Sequence, residues 1–436
     1  MNTLSPANIL ALGFMTFALF LGAGNVIFPP SAGLDAGTNM WPTAVGFLLT
    51  AVGLPLLTLV SLARVGGGIS ELTAPLGRWP ALALAVVVYL CIGPLFATPR
   101  TAVVSYEVGL LGIVEPSWQA LLGYTLVFFS MVLYLSLRSG SLMDSVGKII
   151  TPVLLVALVV LGGAAVLFPA GPQHVPAGNY QSEPFIEGIL QGYLTMDTLG
   201  ALVFGIVITT AIRERQIQDR MEVTRYTIMA AVIAATGLAL VYLALFQLGA
   251  TSQSLVEPGD NGGAILSAFV LFRFGTAGSL LLGVVITLAC LTTAVGLMTS
   301  CGTFFSRILP VSYRQVVWTF SLFSMLVANQ GLESLISFSV PVLIGLYPLA
   351  IILVCLGLWL PGRARPENIM RPVMLVALVF GVIDGLKAAD LLERDLEWMR
   401  ILPLASQGLG WLLPAIITLF LAVLIDRAYY GSAVRP

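Results

Sequence analysis

The stretch from Ile9 to Phe28 contains no charged residue. At a rise of ~1.5 Å per residue, ~20 residues of helix cross the ~30 Å hydrocarbon core of a bilayer, where the backbone has no hydrogen-bonding partner but itself. An unbroken apolar run of this length is therefore read as a spanning helix, since a membrane strand needs only ~10 residues and alternates polar with apolar side chains. Comparable runs lie near 42–63, 80–108, 118–137, 147–169, 185–211, 226–249, 275–305, 314–331, 333–360, 369–387 and 405–425, making twelve spans. The shorter apolar stretch 261–274 reads as an extracellular or re-entrant helix. Hydrophobic residues make up 58% of the 436 and charged ones 9%, against about 25% charged in soluble domains. The expected class is an all-α polytopic membrane protein solvated by the lipid bilayer.

Basic residues set the expected orientation. The even-numbered connections and the tail hold Arg64, Arg78, Arg138, Lys148, Arg213, Arg215, Arg220, Arg225, Arg307, Arg314, Arg363, Arg365, Arg371, Arg427 and Arg435, which is 15 of the 20. The odd-numbered connections hold only Arg273, Lys387, Arg394 and Arg400, and Arg100 lies inside the third span. The positive-inside rule then places both termini in the cytoplasm. A formal net charge of -1 gives no basic face for nucleic acid. The first apolar run has no basic region before it and no A-x-A-like site after it, so a cleaved signal peptide is not expected. No connection is long enough for a soluble catalytic domain, and an enzyme is not expected. Cys91, Cys290, Cys301 and Cys355 lack the spacing of a zinc or disulfide framework and read as core residues. The single histidine, His174, reads as a solvated loop residue.

Two spans are interrupted where a helix should be strongest. In the first, Gly22-Ala23-Gly24-Asn25 occupies the centre of FLGAGNVIFPP. Each glycine costs a helix interior roughly 1 kcal/mol relative to alanine, and an asparagine at that depth needs partners. In the sixth, Thr195, Asp197 and Thr198 fall near mid-span within GYLTMDTLGALVFG. A lone G-x-G would be read as helix packing, but an intramembrane aspartate in the corresponding span points to a functional site. The two breaks hold matching places in two sets of five spans, the pattern of an inverted repeat with a midplane site. The repeats run over 1–170 and 184–360, with 367–428 as accessory helices. Half-helix N-termini would face an anionic group, and unwound carbonyls would face a cation.

Other polar residues are less specific. Thr292 and Thr293 can bond back to their own helix or, near unwound carbonyls, act as hard oxygen ligands. Arg100 and Glu107 are two helical turns apart on one face of the third span, so they form either a mutual structural pair or a gate beside the substrate path. Asp384 and Lys387 read as a snorkelling pair at the end of span eleven.

FALFLGAGNVIFPP, IGPLFATPRTAVVSYEVG from Ile92 to Gly109 and EGILQGYLTMDTLGALVFGIV from Glu187 to Val207 together resemble the signature stretches of the bacterial branched-chain amino acid:cation symporter family. That family belongs to the amino acid-polyamine-organocation superfamily, and the resemblance implies a leucine-transporter-like five-plus-five inverted repeat with discontinuous helices one and six. It further implies alternating-access uptake of leucine, isoleucine and valine, driven by sodium, across the bacterial inner membrane. Carried over by position, Gly22, Ala23, Gly24 and Asn25 match the unwound, carboxylate-holding segment of the first helix, and Tyr193, Leu194, Thr195, Met196 and Asp197 match that of the sixth. The carbonyls of Ala18, Leu21 and Ala289 with the hydroxyls of Thr292 and Thr293 match a sodium site. Asn25 matches a residue serving a second sodium site in some relatives, but no partner stands out in the seventh span, and one sodium ion is expected. Asp197 departs from the neurotransmitter-type relatives and could hold the substrate ammonium, a cation or a proton.

Rival classes fit less well. Intramembrane aspartyl proteases use G-x-G-D, and here Asn25 follows Gly24. A channel does not call for internal pseudo-symmetry within one chain. The closest rival is a proton-coupled permease of the same fold using Asp197. An apolar pocket distinguishes one methylene by only ~1–3 kcal/mol, so selection among the branched amino acids should be weak.

Overall fold

The computed structural model describes residues 4–110, 117–138, 142–257, 259–363, 365–392, 399 and 401–430. Every regular element among them is helical: α1 Pro6–Phe20, α2 Ala23–Ala36, α3 Met40–Leu48, α4 Leu54–Val65, α5 Ile69–Thr73, α6 Arg78–Leu90, α7 Ala97–Leu110, α8 Trp118–Leu137 and α9 Leu142–Leu167, followed by α10 Pro184–Tyr193, α11 Asp197–Glu214, α12 Arg220–Ala250, α13 Gly262–Ile308, α14 Tyr313–Ala328, α15 Leu332–Trp359, α16 Glu367–Ala388 and α17 Leu412–Tyr430. Helix occupies all twelve expected spans. Taken singly, seven stretches among the described residues are long and apolar enough to cross a membrane, and the α10–α11 pair, bent by 43°, makes an eighth. Two of the seven, Ala23–Val65 and Gly262–Ile308, each hold more than one expected segment. The exposed indoles of Trp41, Trp79 and Trp118 lie at the starts of α3, α6 and α8, the position of an interfacial aromatic anchor.

Three local departures have identifiable causes. The last span begins at Leu412 rather than near 405, because Leu404 and Gly408 both take positive φ and form a turn there. The third span is kinked through a π turn, Cys91–Leu95, where Pro94 supplies no N–H and Gly93 leaves helical geometry at ψ -112°. The stretch 261–274 does form a helix, and it joins the eighth span through Gly275, whose φ of 64° is available to glycine at little cost.

The chain forms two compact units from interleaved segments. The first comprises Met1–Gly53, Tyr89–Gly200 and Met229–Leu335. Its interior is apolar and aromatic: Phe47 lies edge-on to both Tyr242 and Phe246, with Phe17, Phe128 and Phe269 also fully buried. Two seams in it are packed backbone to backbone. Along one, between α3 and α10, Gly46 and Gly188 have no room for a Cβ against the carbonyls of Phe185 and Thr43, and just past α3 Thr50 Oγ1 donates to the Ile189 carbonyl at 2.9 Å. Along the other, Gly249 and Gly262 meet the carbonyls of Pro30 and Ile27, so that α12 and α13 both close on one side of α2. Without a hydrophobic drive between helices in lipid, such close approach supplies dispersion contact that larger side chains would prevent.

The second unit comprises Leu54–Val88, Ala201–Ile228 and Ile336–Pro436. Here Gly345 and Gly381 bring α15 and α16 together. Several of the arginines from the even-numbered connections end on helix-terminal carbonyls: Arg213 donates to Gly66 O at 3.2 Å, Arg220 Nε to Arg64 O at 3.1 Å and Arg64 to Leu358 O at 3.2 Å. Guanidinium groups there complete carbonyls that a helix end leaves unbonded and face its negative dipole end. Asp384 is 7% exposed, and Lys387 reaches Met399 Sδ at 3.0 Å, so this pair is buried on its carboxylate side rather than snorkelling together. Arg394, Arg400 and Arg435 lie outside the described residues. Cys91, Cys290 and Cys301 are buried as expected, whereas Cys355 faces outward. His174 is half-buried rather than solvated, its carbonyl accepting from Thr38 N at 3.0 Å.

Candidate substrate and ion site

All of the expected site residues fall in the first unit. The unwinding of span one is narrower than the sequence suggests: only Leu21 (ψ 84°) and Gly22 (ψ -167°) leave the helix, while Ala23, Gly24 and Asn25 form the first turn of α2. The cause is Asn25, whose Oδ1 accepts from Gly22 N at 3.3 Å and so caps the helix it belongs to. This has two chemical effects. The first N–H groups of α2 have no intrahelical acceptor, which makes that end a ready site for an anion. Gly22 N–H, the regular donor to the Ala18 carbonyl, is turned to Asn25 instead, which releases an α1 carbonyl at the break.

Span six breaks over Leu194, Thr195 and Met196, narrower than the expected Tyr193 to Asp197, because Tyr193 ends α10 and Asp197 begins α11. Met196 takes φ 65°, an uncommon conformation for a side chain of its size. Thr195 Oγ1 donates to Gly192 O at 2.9 Å and accepts from Asp197 N at 3.4 Å, which ties the break on both sides. The two breaks meet: a Cβ on Gly24 would lie 3.2 Å from both the Cα and the carbonyl oxygen of Thr195.

Asp197 is 4% exposed. Its Oδ2 accepts from Asn25 Nδ2 at 2.7 Å and from Tyr242 Oη at 2.9 Å, and Asn25 Nδ2 also donates to Tyr242 Oη. A carboxylate from span six, an amide from span one and a phenol from span seven thus form one closed group. Tyr242 is the partner that sequence reading did not find. An aromatic residue in GLALVYLALF reads as core filling, and the only signal was a hydroxyl at mid-span.

The eighth-span pair divides. Thr292 donates back to the Ala289 carbonyl of its own helix at 2.7 Å, while buried Thr293 donates across to the Leu21 carbonyl at 3.3 Å. The Thr293 side chain also lies against Gly22, 3.1 Å from where a Cβ would be. Leu21 O, Thr293 Oγ1 and the released Ala18 carbonyl are neutral hard oxygens, which suit a small hard cation. No group of three or more His, Cys, Asp or Glu that could hold a metal exists among the described residues.

Arg100 and Glu107 have partners on other elements. Buried Arg100 donates to the Leu194 carbonyl inside the sixth-span break at 2.8 Å, and its guanidinium lies 5.2 Å from the Phe28 ring of α2. Glu107 accepts at 2.9 Å from Asn261, whose Oδ1 caps α13 through Gly263 N and Ala264 N.

Two interrupted helices meeting inside an all-helical membrane chain give the architecture of the leucine-transporter-like fold. The solved structures agree. The inward-facing conformation of Mhp1 superposes with a TM-score of 0.62 at 14% identity, covering 100% of this chain and 99% of that one. A Na+-coupled sialic acid symporter gives 0.62 at 15% identity, covering 95% and 90%. At the level of family, residues 5–429 match the model described as branched-chain amino acid transport protein. The branched-chain amino acid transport system 2 carrier protein of Pseudomonas aeruginosa is 63% identical over 98% of each chain. The branched-chain amino acid permease BrnQ of Escherichia coli is 49% identical over 98% of this chain and 97% of its own. The chain belongs to this family, and it is a multi-pass membrane transporter rather than an enzyme.

Proposed function

We propose that the chain takes up leucine, isoleucine and valine by sodium-coupled alternating access, from the bacterial inner membrane with both termini cytoplasmic. The observation that carries this reading is the meeting of the two breaks, Leu21–Gly22 and Leu194–Met196, beside a buried carboxylate. The amino acid carboxylate is held by the N-terminal amides of α2 at Ala23, Gly24 and Asn25, and its ammonium faces Asp197. Sodium sits at Ala18, Leu21, Ala289, Thr292 and Thr293, with Thr293 already touching a break carbonyl. The helices of 1–170 and 184–360 act as the two repeats, with 367–428 accessory. Sodium and amino acid bias the conformational equilibrium only through their differing affinities for its states. The names of the relatives support the substrate class, and sodium rests on the oxygen set.

Radiolabelled leucine uptake into proteoliposomes, with an inward sodium gradient compared against potassium or choline at two pH values, tests this reading. Accumulation that requires sodium and is blocked by isoleucine and valine is the expected result. Accumulation that follows the pH gradient regardless of sodium selects the second reading, a proton-coupled permease of the same fold, which is favoured by a single observation: a carboxylate, Asp197, buried at the break.

At the ion site, Thr293→Ala should raise the sodium concentration for half-maximal uptake about tenfold, the equivalent of ~1.4 kcal/mol. Its thermal unfolding midpoint should stay near that of the parent. Unchanged sodium dependence in folded protein removes Thr293 from the ion site.

A further inference from the structure

The group formed by Asn25, Asp197 and Tyr242 is asymmetric. The bonds from Asn25 and Tyr242 both converge on Oδ2, and the Thr195 side chain is a third partner of the carboxyl group. Asn25 uses one amide N–H on Oδ2 and the other on the phenol oxygen, and its own Oδ1 on Gly22 N. An amide has two donor hydrogens, so Asn25 has none left for a ligand. The phenol has one hydrogen, which it gives to Oδ2. Tyr242 itself is 0% exposed, fixed by the edge of Phe47 at a centroid distance of 5.3 Å, and stands on α12, outside both broken helices.

We propose that Tyr242 is a positioning residue for substrate selection: its hydroxyl fixes the Asp197 carboxylate by Oδ2 so that Oδ1 is the oxygen presented to the ammonium of the amino acid. This rests on reading the two breaks as the amino acid site. Without the phenol, Oδ2 keeps one donor instead of two, and the carboxylate, left with Asn25 and Thr195, is held less firmly in the orientation that faces the ligand. Charge at the site is unchanged by that loss, while orientation is not. The loss should therefore fall on ligands that carry an ammonium and spare those that do not.

The test uses the full chain purified in detergent, with equilibrium binding of leucine and of 4-methylpentanoate, the same carbon skeleton and carboxylate without the amino group. Tyr242→Phe should weaken leucine about tenfold, the scale of one hydrogen bond to a charged group, and leave 4-methylpentanoate unchanged. Phe47→Leu, which loosens packing on the same ring without removing a bond, should change neither affinity differentially. Equal weakening of both ligands by Tyr242→Phe, or an unchanged leucine affinity, overturns the proposal. If Tyr242→Phe does not yield folded protein, Tyr242→Met, which fills similar space without a hydroxyl, takes its place. Asp197→Asn separates the two levels: leucine bound as tightly as by the parent defeats the reading of the site itself, whereas lost binding there with normal binding by Tyr242→Phe defeats only the role of Tyr242.

Discussion

Asp197→Asn is expected to lower leucine uptake at least about 30-fold, since removing one partner of a buried charge pair costs ~2–5 kcal/mol. The substitution keeps the shape of the side chain and can still accept from Tyr242 and Asn25 through its amide oxygen, so folding should survive. What it removes is the negative charge. Asp197 lies at the start of α11 and at the contact between the two breaks, 4% exposed, where no bulk water screens it. A positively charged ligand group therefore has its nearest compensation here. Uptake in proteoliposomes, normalised to monodisperse protein recovered by size-exclusion chromatography, is the measurement. A parental rate would make Asp197 a structural polar group, and the reading of its charge would be withdrawn.

Gly188→Val should have an effect of similar size on a different quantity, the yield of folded protein. A Cβ at Gly188 has no room against the Thr43 carbonyl, and the obstruction is backbone, which cannot rotate away as a side chain can. Overpacking of a close-packed interior costs ~1–3 kcal/mol where side chains can adjust, and more is expected where they cannot. Because the turn after α3 also bonds to α10 from Thr50 to Ile189 at 2.9 Å, separating them loses that bond as well. The expected result is a fall of several degrees or more in the thermal midpoint of detergent-solubilised protein, or aggregation. Gly163→Val is the control, since a Cβ there meets nothing within 4 Å. Equal stability of the two variants would show that the seam yields.

The architecture was legible because lipid leaves the backbone few choices, and apolar length alone then marks each span. The breaks were legible for a related reason: Gly22, Gly24 and Asn25 in one span and Asp197 in another are costly there unless they are used. Their exact extent was not legible. Asn25 recaps its own helix, a contact that depends on where Gly22 N–H points, and this returns Ala23 and Gly24 to helical geometry. The Thr292 and Thr293 pair was visible, but which hydroxyl crosses to span one depends on the rotation of α13. Tyr242 was hidden by its own chemistry, since a phenol among aliphatic residues looks like any other large core side chain. Arg100 was visible as a charge, yet its actual partner, the Leu194 carbonyl, exists only because the sixth span unwinds.

The glycine contacts around α2 bear on how this chain can vary. Gly249 and Gly262 seat the carbonyls of Pro30 and Ile27 so closely that not even a methyl group fits. Most single-base changes in a glycine codon add a Cβ, so these positions are closed to gradual drift however permissive the lipid-facing surface is. A saturation scan selected on growth with leucine as the scarce nutrient would find intolerant positions in a line along one side of the half-helix. That line would trace the backbone-to-backbone seam that holds α2 in place.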